Sequence, residues 1–197
     1  MTTKHKAQRV GVFVDVQNLY YSARAMYNAK VNFKEILKEA VKGRVLVRAI
    51  AYVVKADMQH ENIFHDMLET VGFEVKSKDL QVFYGGQKKG DWDVGITIDC
   101  VELAPKLDVV VLISGDGDYV PLVEHLEKAM GCRVEVIAFG RSASAKLKEA
   151  AFEFVDLDKD KRKYLISLGH NEQRQNRPRS RERTDSPKQP SPEQKSI

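Results

Sequence analysis

Residues 108–119 read Asp-Val-Val-Val-Leu-Ile-Ser-Gly-Asp-Gly-Asp-Tyr, and residues 9–18 read Arg-Val-Gly-Val-Phe-Val-Asp-Val-Gln-Asn. Each holds an almost continuously apolar run that leads to an aspartate, Asp15 directly and Asp116 after Ser114-Gly115. A strand with one wet face alternates polar and apolar residues; a strand buried on both faces does not, and such strands belong to parallel sheets covered by helices on each side. The apolar run Val109–Ile113 falls far short of the ~18 residues a membrane span needs.

Outward from these two runs, helical and strand signals alternate. Asn18–Tyr27 reads as a short helix. Asn32-Phe-Lys-Glu35 matches a capping box that opens a helix through Val41, with Gly43 to end it. Val45–Val54 is a β-branched strand, Glu61–Val71 a helix stopped by Gly72, and Glu74–Lys78 a short strand. After an irregular stretch, Asp93–Ala104 is helical, its apolar spacing resting on Val94, Ile98 and Val101. Then come the strand Asp108–Ser114, the helix Val120–Met130, the strand Arg133–Ala138, the helix Ser144–Ala151 and a last strand near Phe154–Leu157. This alternation predicts an α/β fold, a doubly wound parallel sheet with helices on both faces. The expected strand order is 3-2-1-4-5, which makes the two Asp-terminated strands neighbours.

The chain of 197 residues is 43% hydrophobic and 30% charged, ordinary globular composition. Residues 1–158 are expected to form one domain and residues 159–197 a basic tail. That tail holds 11 Lys/Arg against 5 Asp/Glu, while the rest of the chain holds 21 against 23. A slightly acidic body with a basic arm suggests a polyanionic partner met through the arm. Arg174, Arg177, Arg179, Arg181 and Arg183 are its candidate RNA contacts, in a Gln-, Asn-, Ser- and Pro-rich segment with no apolar periodicity. Cys100 and Cys132 sit far apart in apolar surroundings, which suits reduced thiols in a cytoplasmic protein. The basic start Met1–Arg9 leads into Val-Gly-Val-Phe-Val, but Asp15 interrupts before a signal h-region could form.

In open α/β sheets, ligands bind beyond the carboxyl ends of the strands, where strand order reverses. Asp15 and Asp116 would face each other there. Asp93, at the start of the helix before the fourth strand, is the third candidate carboxylate, and Asp118 the fourth. Converging carboxylates repel unless a proton or cation intervenes. All-oxygen ligands favour a hard cation, Mg²⁺ or Mn²⁺, which also binds phosphates and can drive phosphodiester hydrolysis. Asn18 is expected to orient Asp15 or a water, and Ser114 to do the same for Asp116. Gly115 and Gly117 allow a tight turn with space for a phosphate. Asp118 and Asp93 could instead cap their helices. Asp91 is a neighbouring carboxylate, and Asp99, six residues beyond Asp93, falls on another helix face and is secondary.

Three motifs, Val-Phe-Val-Asp15-Val-Gln-Asn18-Leu, Lys89-Gly-Asp-Trp-Asp93-Val-Gly-Ile-Thr-Ile-Asp99 and Ser114-Gly-Asp116-Gly-Asp118-Tyr-Val-Pro-Leu-Val, together resemble the NYN domain of LabA-like proteins over about residues 9–157. The resemblance implies a Rossmann-like sheet akin to PIN nucleases and cleavage of RNA, single-stranded by expectation, with Mg²⁺ or Mn²⁺. It carries site roles onto Asp15, Asn18, Asp93, Asp116 and Asp118, with Asp99 also at a matching position. A homo-oligomer or a protein partner is compatible with it. The alternative within the same resemblance is a non-catalytic module that binds RNA or protein as a regulator. Two other folds fit less well. A haloacid-dehalogenase-type phosphatase needs an acid where Gln17 stands, and a Toprim domain needs Glu where Asp15 stands.

Overall fold

In the computed structural model, residues 4–55, 61–82 and 88–167 are described. The first strand, β1 (Arg9–Asp15), runs into α1 (Val16–Tyr27), a short β2 (Ala29–Val31) and α2 (Phe33–Val41). The long β3 (Val45–Lys55) is followed by α3 (Glu61–Val71), β4 (Glu74–Asp79) and a small pair, β5 (Gln81–Val82) with β6 (Lys88–Lys89). Then come α4 (Asp93–Leu103), β7 (Val109–Ile113), α5 (Val120–Lys128), β8 (Arg133–Ala138), α6 (Ala145–Ala150), β9 (Glu153–Asp156), α7 (Lys161–Tyr164) and β10 (Leu165–Ser167).

The main sheet has the order β4-β3-β1-β7-β8-β9, and every neighbouring pair is parallel. This is the expected doubly wound order, with β9 added at the edge. Side chains leave β1 and β7 alternately toward two cores. Val10, Val12, Val14, Val109, Val111 and Ile113 pack with α1, α2 and α3 on one face. Phe13, Val110 and Leu112 pack with α4, α5 and α6 on the other. Because both faces are covered, both positions of the alternation are apolar, which is why these strands read as unbroken hydrophobic runs. No helix among the described residues is long and apolar enough to cross a membrane, and Cys100 and Cys132 are free, buried thiols.

Three expectations change. The helix α4 buries Ile96 and Cys100; of the expected row Val94, Ile98 and Val101, the first two are 70% and 50% exposed and only Val101 packs against the second core. Second, the compact unit runs to Ser167 rather than residue 158. Its last strand, β10, pairs antiparallel with β2, and Tyr164 is buried in the core beside α2. The capping box is therefore only half made. The Asn32 side chain accepts from the Glu35 N–H at 3.4 Å, but the Asn32 N–H goes to Tyr164 O at 2.9 Å. Third, the basic run Lys161–Lys163 sits on folded α7, so part of the positive excess assigned to the tail belongs to the domain. The five tail arginines, Arg174 to Arg183, lie outside the described residues.

Candidate metal centre

Strand register brings the first contacts. Val14 pairs with Ile113, so the next residues, Asp15 and Ser114, stand abreast as the chain leaves the sheet. Ser114, fully buried, donates to Asp15 Oδ2 at 3.4 Å and accepts from the Asp116 N–H at 3.2 Å. Asp15 also caps α1, its Oδ1 accepting from the Asn18 N–H at 3.0 Å. The Asn18 side chain closes the circuit by accepting from the Gly115 N–H at 2.9 Å. Asn18 and Ser114 thus stitch the ends of β1 and β7 together.

Asp116 is half-buried and caps its own 3₁₀ turn, Oδ1 accepting from the Asp118 N–H at 3.0 Å. Asp118 itself is exposed and caps nothing; the α5 N-terminus has Tyr119 at the capping position, without a side-chain bond. Asp93 is likewise not a cap but the first residue of α4, after Trp92, where a carboxylate gains from the helix dipole. Its Oδ1 accepts from the Tyr119 hydroxyl at 2.9 Å, and the same hydroxyl lies 3.5 Å from Asp15 Oδ2. Trp92 fixes the other side of this turn. Its indole N–H donates to Val53 O at 2.9 Å, its ring packs 5.4 Å from Tyr52, and it covers Gly95 so closely that a Cβ there would lie 2.6 Å from the ring.

Gly115 and Gly117 correct another expectation. Neither has a positive φ, and the space beside them is filled. A Cβ on Gly115 would meet Ala143 at 3.0 Å, and one on Gly117 would meet Ser144 Oγ at 2.9 Å. These glycines let the loop after β8 pack against the Asp116 turn. Asp99 stands apart, accepting from Tyr52 Oη at 2.5 Å and Lys76 Nζ at 2.6 Å. Asp91 is exposed, and its charge acts on Asp93.

Burial pushes the Asp15 carboxyl up to about 6, with the charges of Asp93 and Asp116 adding and the Asn18 and Ser114 hydrogen bonds opposing. Asp93 is raised as well, first by burial, against the Tyr119 hydrogen bond and with the charges of Asp91, Asp116 and Asp118. The donor set is thus hard oxygen with mutually repelling charge, which suits a Mg²⁺-type cation. Among the described residues, however, no three His, Cys, Asp or Glu side chains are gathered closely enough to hold an ion. Asp15, Asp93 and Asp116 each answer to a protein donor instead.

One comparison decides the family. The NYN domain profile matches residues 9–158. The chain belongs to the NYN domain family. This NYN protein is 26% identical over 168 residues to the Low amplitude and bright protein LabA of Synechococcus elongatus, covering 78% of this chain and 86% of that protein. A crystal structure of a protein of unknown function from Vibrio parahaemolyticus RIMD 2210633 superimposes with a TM-score of 0.75 at 35% identity, over 84% of this NYN chain and all of the other. Asp15, Asn18, Asp93, Asp116 and Asp118 all lie within the NYN match. Sequence reading missed Tyr119 and Trp92. Both lie inside motifs, next to Asp118 and Asp93, and that adjacency was the available signal.

The Asp15 shift has a measurable consequence. A raised carboxyl holds its proton more tightly folded than unfolded, so its contribution to stability falls as pH rises from about 4 to about 6. Two pKa units correspond to about 3 kcal/mol. In EDTA, urea unfolding of wild type and Asp15→Asn from pH 4 to 7 is expected to show the variant gaining relative stability across that window. A pH-independent difference would mean Asp15 ionises freely in the fold.

Proposed function

We propose that this protein is a metal-dependent ribonuclease whose carboxylates at the β1–β7 switch point act on RNA phosphodiesters. The observation that carries this reading is the placement of Asp15 and Asp116 at neighbouring strand ends, with Asp93 at the start of α4 and the Tyr119 hydroxyl lying between Asp93 and Asp15. Asp15 is buried with its carboxyl raised to about 6, partly by the other two. Asp15, Asp93 and Asp116 would hold Mg²⁺ or Mn²⁺, and exposed Asp118 adds charge at the rim. Such an ion supplies Lewis-acid stabilisation of phosphoryl charge and lowers the pKa of an attacking water. The chain's own contribution is placement. Asn18 and Ser114 keep the two strand ends in register, and Trp92 pins the turn that carries Asp93. NYN membership and the PIN-like character of that family support RNA as the substrate. The tail arginines would neutralise phosphates, each covered phosphate adding ~0.7 to the salt slope for a single strand. The free buried thiols suit the cytoplasm.

One observation favours a second reading, a non-catalytic module that binds RNA or a protein partner: no three metal-ligating side chains are gathered among the described residues. A single assay separates the two. The purified 197-residue protein with a generic single-stranded RNA is expected to cleave in Mn²⁺ or Mg²⁺ and to stop in EDTA. Binding without cleavage in either metal would establish the regulator, and cleavage persisting in EDTA would rule out the metal site.

A further inference from the structure

Asp93 reaches the candidate site by a different route from its partners. Asp15 and Asp116 are delivered by adjacent parallel strands, so the sheet hydrogen bonds set their spacing. Asp93 opens a helix that packs on one face of the sheet, after the β5–β6 pair, and no ladder holds it at the strand ends. Its carboxylate is held by Tyr119. That phenol is 1% exposed, its ring lies in the core formed with α4 and α5, and its hydroxyl donates to Asp93 Oδ1 at 2.9 Å while lying 3.5 Å from Asp15 Oδ2. Its backbone ends the turn that Asp116 caps. One rigid side chain therefore touches Asp93, faces Asp15 and shares a turn with Asp116. A core aromatic in this place needs no hydroxyl; phenylalanine would fill the same volume. A buried hydroxyl aimed at one carboxylate and beside a second serves orientation, as partners of metal-ligating side chains commonly do.

We propose that Tyr119 is the positioning residue that sets Asp93 at the carboxylate site and thereby the affinity of that site for a divalent ion. The proposal rests on the metal-dependent reading given above. Tyr119→Phe keeps the ring and removes only the donor. Titration calorimetry and electron paramagnetic resonance with Mn²⁺ alone are expected to show affinity lowered ~10–100-fold, with the EDTA melting curve kept. In cleavage assays at saturating Mn²⁺, kcat is expected to fall while KM for RNA stays near wild type. Because Tyr119 acts through Asp93, adding Tyr119→Phe to Asp93→Asn should cost little more than Asp93→Asn alone. Wild-type Mn²⁺ affinity in Tyr119→Phe, or losses that simply add in the double variant, would overturn the proposal and leave the metal-dependent reading standing. A wild-type protein that binds no Mn²⁺ would overturn both. A Tyr119→Phe variant that melts early in EDTA would make the hydroxyl a stability element and overturn the positioning role.

Discussion

Asp116→Asn is expected to lower metal-dependent RNA cleavage by ~10³-fold or more, about 4 kcal/mol of transition-state stabilisation, while the fold persists. Two features of the structure separate these outcomes. The carboxylate caps the Gly117–Tyr119 turn through Oδ1 and the Asp118 N–H, and an asparagine amide oxygen accepts that bond equally well. The negative charge, by contrast, is lost, and with it one of the three groups that would share a cation. Removing a charge that raises Asp15 and Asp93 also relieves repulsion, so the melting temperature in EDTA should equal or exceed that of wild type. Single-turnover cleavage in Mn²⁺, paired with thermal melts in EDTA, reads both quantities. Wild-type cleavage by this variant would remove Asp116 from the site.

Glu135→Ala is expected to destabilise the domain by about 3–5 kcal/mol, the range for stripping one partner from a buried ion pair. Glu135 points from β8 into the core on the α1–α3 side, where its neighbours on the strand are apolar. Arg44, with its side chain 1% exposed, donates to both carboxylate oxygens at 2.7 and 2.9 Å and also to Val41 O and Ala40 O. Lys4 adds a third contact at 2.8 Å. Burial alone would raise the Glu135 carboxyl; Arg44 and Lys4 more than offset it and leave it below its ordinary value. Its contribution is therefore present above the ordinary glutamate pKa and is lost as pH falls through the depressed one. Alanine would leave a buried guanidinium facing a cavity. Replacing both Arg44 and Glu135 by methionine should cost far less, because the guanidinium is removed with its partner and Lys4 keeps Glu153 at 3.1 Å. Urea unfolding at pH 7 tests this. A loss under 1 kcal/mol in Glu135→Ala would mean that water reaches Arg44.

The parallel sheet and the confrontation of Asp15 with the Ser114–Asp116 turn were legible from local pattern. Buried strands had to be continuously apolar, and their ends were marked by Asp, Ser and Gly. The wrong reading of α4 came from the same source. Periodicity in this mostly apolar helix cannot say which row is buried, and the sheet beneath it selected Ile96 and Cys100 over Val94 and Ile98. Gly115 and Gly117 looked like a phosphate turn because a glycine's neighbours across space are invisible in its own segment; Ala143 and Ser144 are those neighbours. The three-residue strands β2 and β10 are too short to show a period and exist because they pair with each other.

By itself, the sequence determined the layers and which carboxylates end the strands, since these follow from short-range hydrophobic patterning and turn chemistry. The tertiary structure alone decided that Tyr119 reaches Asp93, that Asp99 is taken by Tyr52 and Lys76, that Asp118 caps nothing, and that Arg44 meets Glu135 inside the core. Most of these depend on contacts between residues 23 to 91 positions apart. Such contacts come from packing helices onto a sheet, and a side chain's partner across that distance leaves no periodic trace in the chain.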